Sequence, residues 1–171
     1  TRNAMGVQQT PPNMVLAGIA LFLTLYIMAP TINKINVEAY EPYKKGNITQ
    51  EQALDKMGED MKEFMLRNTE KKTLERFVSM SKTELKKDPK AYPLTVVVPA
   101  FMTSELKRGF TAGFLIYLPF LLIDVVVSTT LMAMGMVMLP PAMVSMPFKL
   151  LLFITVDGWN LLFSSMVHSF R

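Results

Sequence analysis

The sequence predicts an all-α integral membrane protein: apolar helices, the last two folded back on each other as a hairpin, with a polar helical insert between them and the first. Three observations carry this. Of 32 charged side chains, 27 fall between Thr31 and Arg108, leaving only Arg2, Asp124, Lys149, Asp157 and Arg171 elsewhere. A soluble globule spreads its charge over its whole surface, so this segregation is that of a membrane chain with a polar insert. The apolar stretches approach or exceed the roughly 20 residues that a helix needs to cross hydrocarbon. Within the charged segment, apolar residues recur at helical spacing behind a capping signal. The organisation that follows is an N-terminal apolar helix over 1–30, a polar helical insert over 31–108 and an apolar hairpin over 109–171.

The first apolar run, Met14 to Pro30, follows "TPPN", which supplies a stop and an N-cap candidate in Asn13. Its length is marginal for a span, so a buried core helix is the competing reading. In the insert, Thr49 and Gln52 form a capping box. Behind it Leu54, Met57, Met61, Phe64 and Met65 mark the inward face of a helix. A second amphipathic helix is expected near Thr73 to Leu85, with Leu74, Phe77 and Val78 inward. "KKDPKAYP" reads as a linker, and "LTVVV" before Pro99 as a short strand or an extended lead-in. The second apolar run, Phe110 to Leu139, is longer than a simple span and should kink at Pro119. The third runs from Ala142 to Phe170, interrupted by Lys149 and Asp157.

A lone charge inside an apolar helix is costly unless it is paired or lines a cavity. Asp124 and Lys149 are such charges, 25 residues apart, so a hairpin pairing them must turn near Met136 and Val137. Gly135 lies one residue before that point, and Pro140 and Pro141 close the turn from the other side. The competing reading sends each charge to a different water-filled surface. The turn lies in "LMAMGMVMLPPAM", where five of thirteen residues are methionine.

Other chemistry is thinly represented. The sequence has no Cys and one His, which excludes disulfide scaffolds and Cys- or His-rich metal sites. The insert mixes 15 basic with 12 acidic residues, a solvated surface rather than a nucleic-acid footprint. No phosphate loop, dinucleotide fingerprint or nucleophile elbow is present, so no cofactor is implied. Asp124 and Asp157 raise an intramembrane aspartyl protease, which needs two carboxylates sharing a proton. Their settings, "LLIDVVV" and "TVDGWN", lack the sequence contexts of that class. Asp157-Gly158-Trp159 reads better as a helix irregularity with an interfacial Trp anchor. Glu105, in "TSELKRGF", suits the first turn of a helix capped by Thr103 or Ser104. His168 reads as a bland interfacial side chain.

The stretches "MGVQQTPPNMVLAGIALFLTLYIMAP", "EFMLRNTEKK", "PAFMTSELKRGF", "LIDVVVSTTLMAMGMVMLPP" and "PFKLLLFITVDGWNLL" resemble, in order, the FliP/SctR family of type III export-gate proteins. "NVEAYEP" and "EFMLRNT" look more flagellar, whereas "MGVQQTPPN" leans toward the injectisome branch. The family has a further N-terminal hydrophobic segment, which would precede the start of this sequence.

The resemblance implies a non-enzymatic protein-export pore. Copies of the chain would form a ring, pentameric by resemblance, joined by FliR and FliQ in the bacterial inner membrane at the flagellar basal body. The insert would be periplasmic, and unfolded substrates would thread the gate. The family's methionine loop lines the narrowest part of the pore, and the matching positions are Met136, Val137 and Met138. Unbranched thioether chains adapt to varied shapes, and an apolar ring resists hydration. The competing reading makes these methionines intersubunit filler. An injectisome gate subunit is the nearest alternative function. A proton-coupled stator built on Asp124 and the aspartyl protease are the more distant ones.

Overall fold

The computed structural model describes residues 4–7, 11–81 and 88–170. Among these residues every regular element is helical. In chain order they are α1 (Asn13–Ile35), a π-helical turn (Asn36–Tyr40), α2 (Glu41–Lys44), α3 (Gln50–Asn68), α4 (Lys71–Met80), a 3₁₀ turn (Pro89–Ala91), α5 (Leu94–Ala133), α6 (Pro141–Thr155) and α7 (Gly158–Ser169).

Two stretches have the length and apolarity to cross a membrane: the continuous Asn13–Lys44 and α5, with 32 and 40 residues. α6 and α7 add a third if the pair, bent by 59°, counts as one span. The apolar helix therefore does not end at Pro30. That proline is accommodated inside α1, which passes through the π turn into α2. At about 1.5 Å per residue, α5 is roughly twice as long as the ~30 Å hydrocarbon layer. Three of its four charged residues, Glu105, Lys107 and Arg108, lie in its first half, and Asp124 alone lies in the second.

The chain forms two compact units, one of Thr1–Leu23 with Phe110–Arg171 and the other of Thr24–Gly109. The core of the second unit is Met65, Val78, Tyr92, Val96 and Val97, flanked by Phe64, Leu74, Phe77 and Phe101. Phe64 and Phe101 meet edge to face at 6.0 Å. Burying each such side chain stabilises by about 1.5–3 kcal/mol.

This core explains why "LTVVV" is not a strand. Pro93 O accepts from Val96 N at 3.0 Å and Val97 N at 3.2 Å, opening α5. Val97 is then fully buried, so tertiary burial overrides the β-branched preference. Thr103 and Ser104, expected as caps, consequently lie inside α5. α5 also continues through Pro119 without a break.

α3 carries the expected capping box: Thr49 Oγ1 accepts from Gln52 N at 3.3 Å and Gln52 Oε1 from Thr49 N at 3.0 Å. Its inward face differs from the expected one. Leu54 and Met61 are exposed, while Ala53, Asp60, Met65 and Asn68 are buried. A charge takes the place of an apolar residue because Lys34 of α1 reaches Asp60 Oδ1 at 2.7 Å. Lys34 also binds Glu63 Oε2 at 3.1 Å, and Lys90 approaches Glu63 Oε1 at 3.4 Å. α4 begins at Lys71 and buries Val78. The expected extension of this helix to Leu85 lies outside the described residues, as does the Lys86-Lys87 start of the expected linker.

Candidate functional site

The site is the hairpin of α5 and α6 in the unit of Thr1–Leu23 and Phe110–Arg171. α5 stops at a glycine. Gly135 takes φ +74°, a conformation that costs an L-residue about 1–2 kcal/mol. Met136 N donates to Leu131 O at 2.9 Å and Gly135 N to Met132 O at 3.0 Å. These are the paired bonds of a Schellman cap, which satisfy carbonyls that the helix end would leave orphaned. The chain re-enters a helix at Pro140, the N-cap of α6, with Pro141 in its first turn. There the missing proline N–H loses no bond.

The intervening loop carries the methionines outward. Met138 is 98% exposed, Val137 82% and Met136 40%. Beside it, α5 and α6 line an open apolar groove of about 580 Å³ that includes Val126, Thr130, Met134, Val144 and Phe148. Thr130 presents no free donor there, because its hydroxyl donates to Val126 O at 2.8 Å.

Below the loop, the structure brings Asp124 and Lys149 together. Lys149 Nζ donates to Asp124 Oδ2 at 2.6 Å, and Ser145 Oγ donates to Asp124 Oδ1 at 2.6 Å. Ser145 and Lys149 share one face of α6 because they are four residues apart. Ser145 is fully buried and Lys149 nearly so. One turn further from the loop on each helix, Phe120 and Phe153 pack at 6.5 Å, with Ala4 and Met5 covering them. The polar contact is thus flanked on one side by apolar packing, with Lys149 and Ser145 buried and Asp124 partly exposed.

With each oxygen of Asp124 held by a donor, the carboxylate is not set up as a proton carrier. Asp157 has a different neighbour: Asn160 Nδ2 donates to its Oδ2 at 3.3 Å. The two carboxylates thus have separate hydrogen-bond partners among the described residues.

Asp157-Gly158-Trp159 marks the bend between α6 and α7. Asp157 is the one non-glycine residue with positive φ among those described, at φ 49° and ψ 53°. Gly158 is required for space: a Cβ there would enter the Phe153 ring. Trp159 packs edge-on against Phe153 at 5.2 Å and beside Phe163 at 5.7 Å, and keeps part of its surface exposed. Glu105 belongs to the Thr24–Gly109 unit and pairs within α5 with Arg108 at 2.9 Å. His168 Nδ1 lies 2.7 Å from Ser164 O, one turn back on its own helix.

Sequence reasoning missed Ser145; its i, i+4 spacing to Lys149 was the available signal. It also missed a polar clasp in the other unit. Ser104 Oγ accepts from Glu70 N at 3.1 Å and donates to Ala100 O at 2.9 Å, while Lys107 Nζ binds both Glu70 oxygens at 2.9 and 2.7 Å.

These features define a polytopic α-helical membrane protein whose hairpin is fastened by a buried ionic contact and tipped by an exposed methionine loop. Comparison with known proteins gives the family. The FliP family profile matches residues 1–166, and the chain belongs to this family. It is 50% identical over 169 residues to the flagellar biosynthetic protein FliP of Bacillus subtilis (strain 168), covering 99% of the chain and 76% of that relative. It is 47% identical over 169 residues to the protein of that name from Pectobacterium carotovorum subsp. carotovorum, covering 99% of the chain but 66% of the relative. The Aquifex aeolicus (strain VF5) protein is 46% identical over 172 residues, again with 99% of the chain and with 72% of the relative.

Proposed function

We propose that this chain is a core pore subunit of the flagellar type III protein export gate. Copies form a ring, pentameric in our reading, with FliR and FliQ, in the bacterial inner membrane at the flagellar basal body. The polar insert faces the periplasm, and unfolded flagellar substrates pass through the ring. The observation that carries the reading is the methionine loop: Val137 and Met138 are 82% and 98% exposed at the tip of a hairpin fastened by a buried ion pair. Apolar side chains held out on a rigid support need a partner surface or one another. Around a common axis, Met136, Val137 and Met138 form a deformable apolar seal that resists hydration when closed. The flagellar branch is favoured over the injectisome because the named relatives are flagellar biosynthetic proteins.

Native mass measurement of the detergent-extracted complex, co-expressed with FliR and FliQ, tests the ring: several copies per particle are expected, and a dispersed monomer refutes it. The seal is tested by Met136→Ala with Met138→Ala. The assembled double variant should leak ions at rest, read as loss of membrane potential at high salt. A ring as tight as wild type makes these methionines packing residues.

A further inference from the structure

We propose that Ser145 is the positioning residue that sets the rotation of α6, and with it the presentation of the methionine loop. The inference rests on the gate reading above. Asp124 is gripped from α6 at two points, but the two grips differ in kind. Lys149 reaches it with a flexible four-carbon stem, so its ammonium can follow the carboxylate through a range of helix rotations. Ser145 reaches it with a single-bonded hydroxyl arm at 2.6 Å, inside a site where the residue has no exposed surface. One staggered torsion places that oxygen, so the contact survives only within a narrow range of rotation. Lysine supplies the attraction and serine the orientation.

The orientation is transmitted because Ser145 stands one turn from the loop. Its hydroxyl also lies 3.3 Å from Ala142 O, in the first turn of α6. Pro140 and Pro141 join that turn to the loop. Their rings fix φ, and Pro140 adopts −65°, which leaves little torsional slack between helix and loop. Rotating α6 therefore turns Met138 and Met136 with it.

The sequence contains no cysteine, so each single cysteine is read against the unsubstituted chain assembled with the same partners as the background. Met136→Cys and Met138→Cys are made separately in the full chain, assembled with FliR and FliQ, and labelled with a small maleimide. The measured quantity is the ratio of the two labelling rates. Ser145→Ala should change that ratio about tenfold while rings still form, the population shift that a lost hydrogen bond to a charged group supports. Ser145→Thr keeps the hydroxyl and should hold the ratio within about twofold of wild type, well inside that shift. A general loss of stability lowers the yield of rings but does not move the ratio. An unchanged ratio in Ser145→Ala, or an equal change in Ser145→Thr, overturns the proposal. If the alanine variant forms no rings, the threonine variant decides alone: wild-type ratio supports the role and an altered ratio overturns it. Absence of rings from the wild-type chain instead refutes the gate reading itself.

Discussion

Removing one member of the Asp124–Lys149 pair should destabilise the assembled protein, and the two removals should differ. Breaking a buried pair costs about 3–5 kcal/mol, because the remaining charge is left without compensation. The two remaining charges are not equivalent here. The Asp124 side chain is 29% exposed and the Lys149 side chain 6%. After Lys149→Ala, Asp124 still accepts from Ser145 at 2.6 Å and retains contact with solvent or headgroups. That places the loss near the lower bound, about 3 kcal/mol. After Asp124→Ala, an ammonium buried among apolar neighbours loses its one acceptor among the described residues. That places the loss near the upper bound, about 5 kcal/mol. Replacing both, as Asp124→Leu with Lys149→Met, removes the two charges together and should recover most of the stability. The assay is the temperature at which the detergent-extracted complex loses half its intact mass, measured for wild type, both single variants and the double variant. The reasoning is refuted if Lys149→Ala is the more damaging change, or if the double variant is no more stable than either single.

Two further outcomes follow from the same structure. Gly158→Ala pushes a methyl group into the Phe153 ring and should cost about 1–3 kcal/mol by overpacking, whereas Gly113→Ala, with nothing within 4 Å, should be close to neutral; thermal melts of the two variants side by side check the contrast. The hydrogen bond from Lys34, reinforced by Lys90, holds the Glu63 carboxyl below its ordinary value of 4.5, and the hydrogen bond from Lys107 does the same for Glu70. A carboxylate whose folded pKa is depressed stabilises above its unfolded value and loses that contribution as pH falls through the folded one. The Thr24–Gly109 unit should therefore loosen as pH falls below about 4.5. Amide hydrogen exchange in α3 and α4 reads this, and the acid step should shrink in Glu63→Gln with Glu70→Gln.

How much was legible in advance depended on whether the physics was local. Segregation of charge marked a membrane chain, because the cost of placing a charge in hydrocarbon is set by that residue and its immediate neighbours. Gly135 and the proline pair marked a turn because φ is a property of single residues. Spacing about that turn then put Asp124 opposite Lys149. The capping box of α3 was equally local. Most departures involved a partner distant in sequence. "LTVVV" is helical because Met65, Val78 and Tyr92 bury it. Asp60, which periodicity assigns to solvent, faces inward because Lys34 of another helix meets it. Thr103 and Ser104 lie inside a helix because α5 starts earlier, on that same core. Ser145 carries no motif, and only the approach of α5 shows that its hydroxyl shares the carboxylate with Lys149. Trp159 packs on Phe153 because the chain bends at Asp157, a left-handed residue that its type alone does not announce. The sequence by itself determined which segments are apolar and where the chain turns back. Tertiary structure decided which polar groups are buried and what satisfies them, because burying a polar group is tolerable only when a partner from elsewhere in the chain supplies its hydrogen bond.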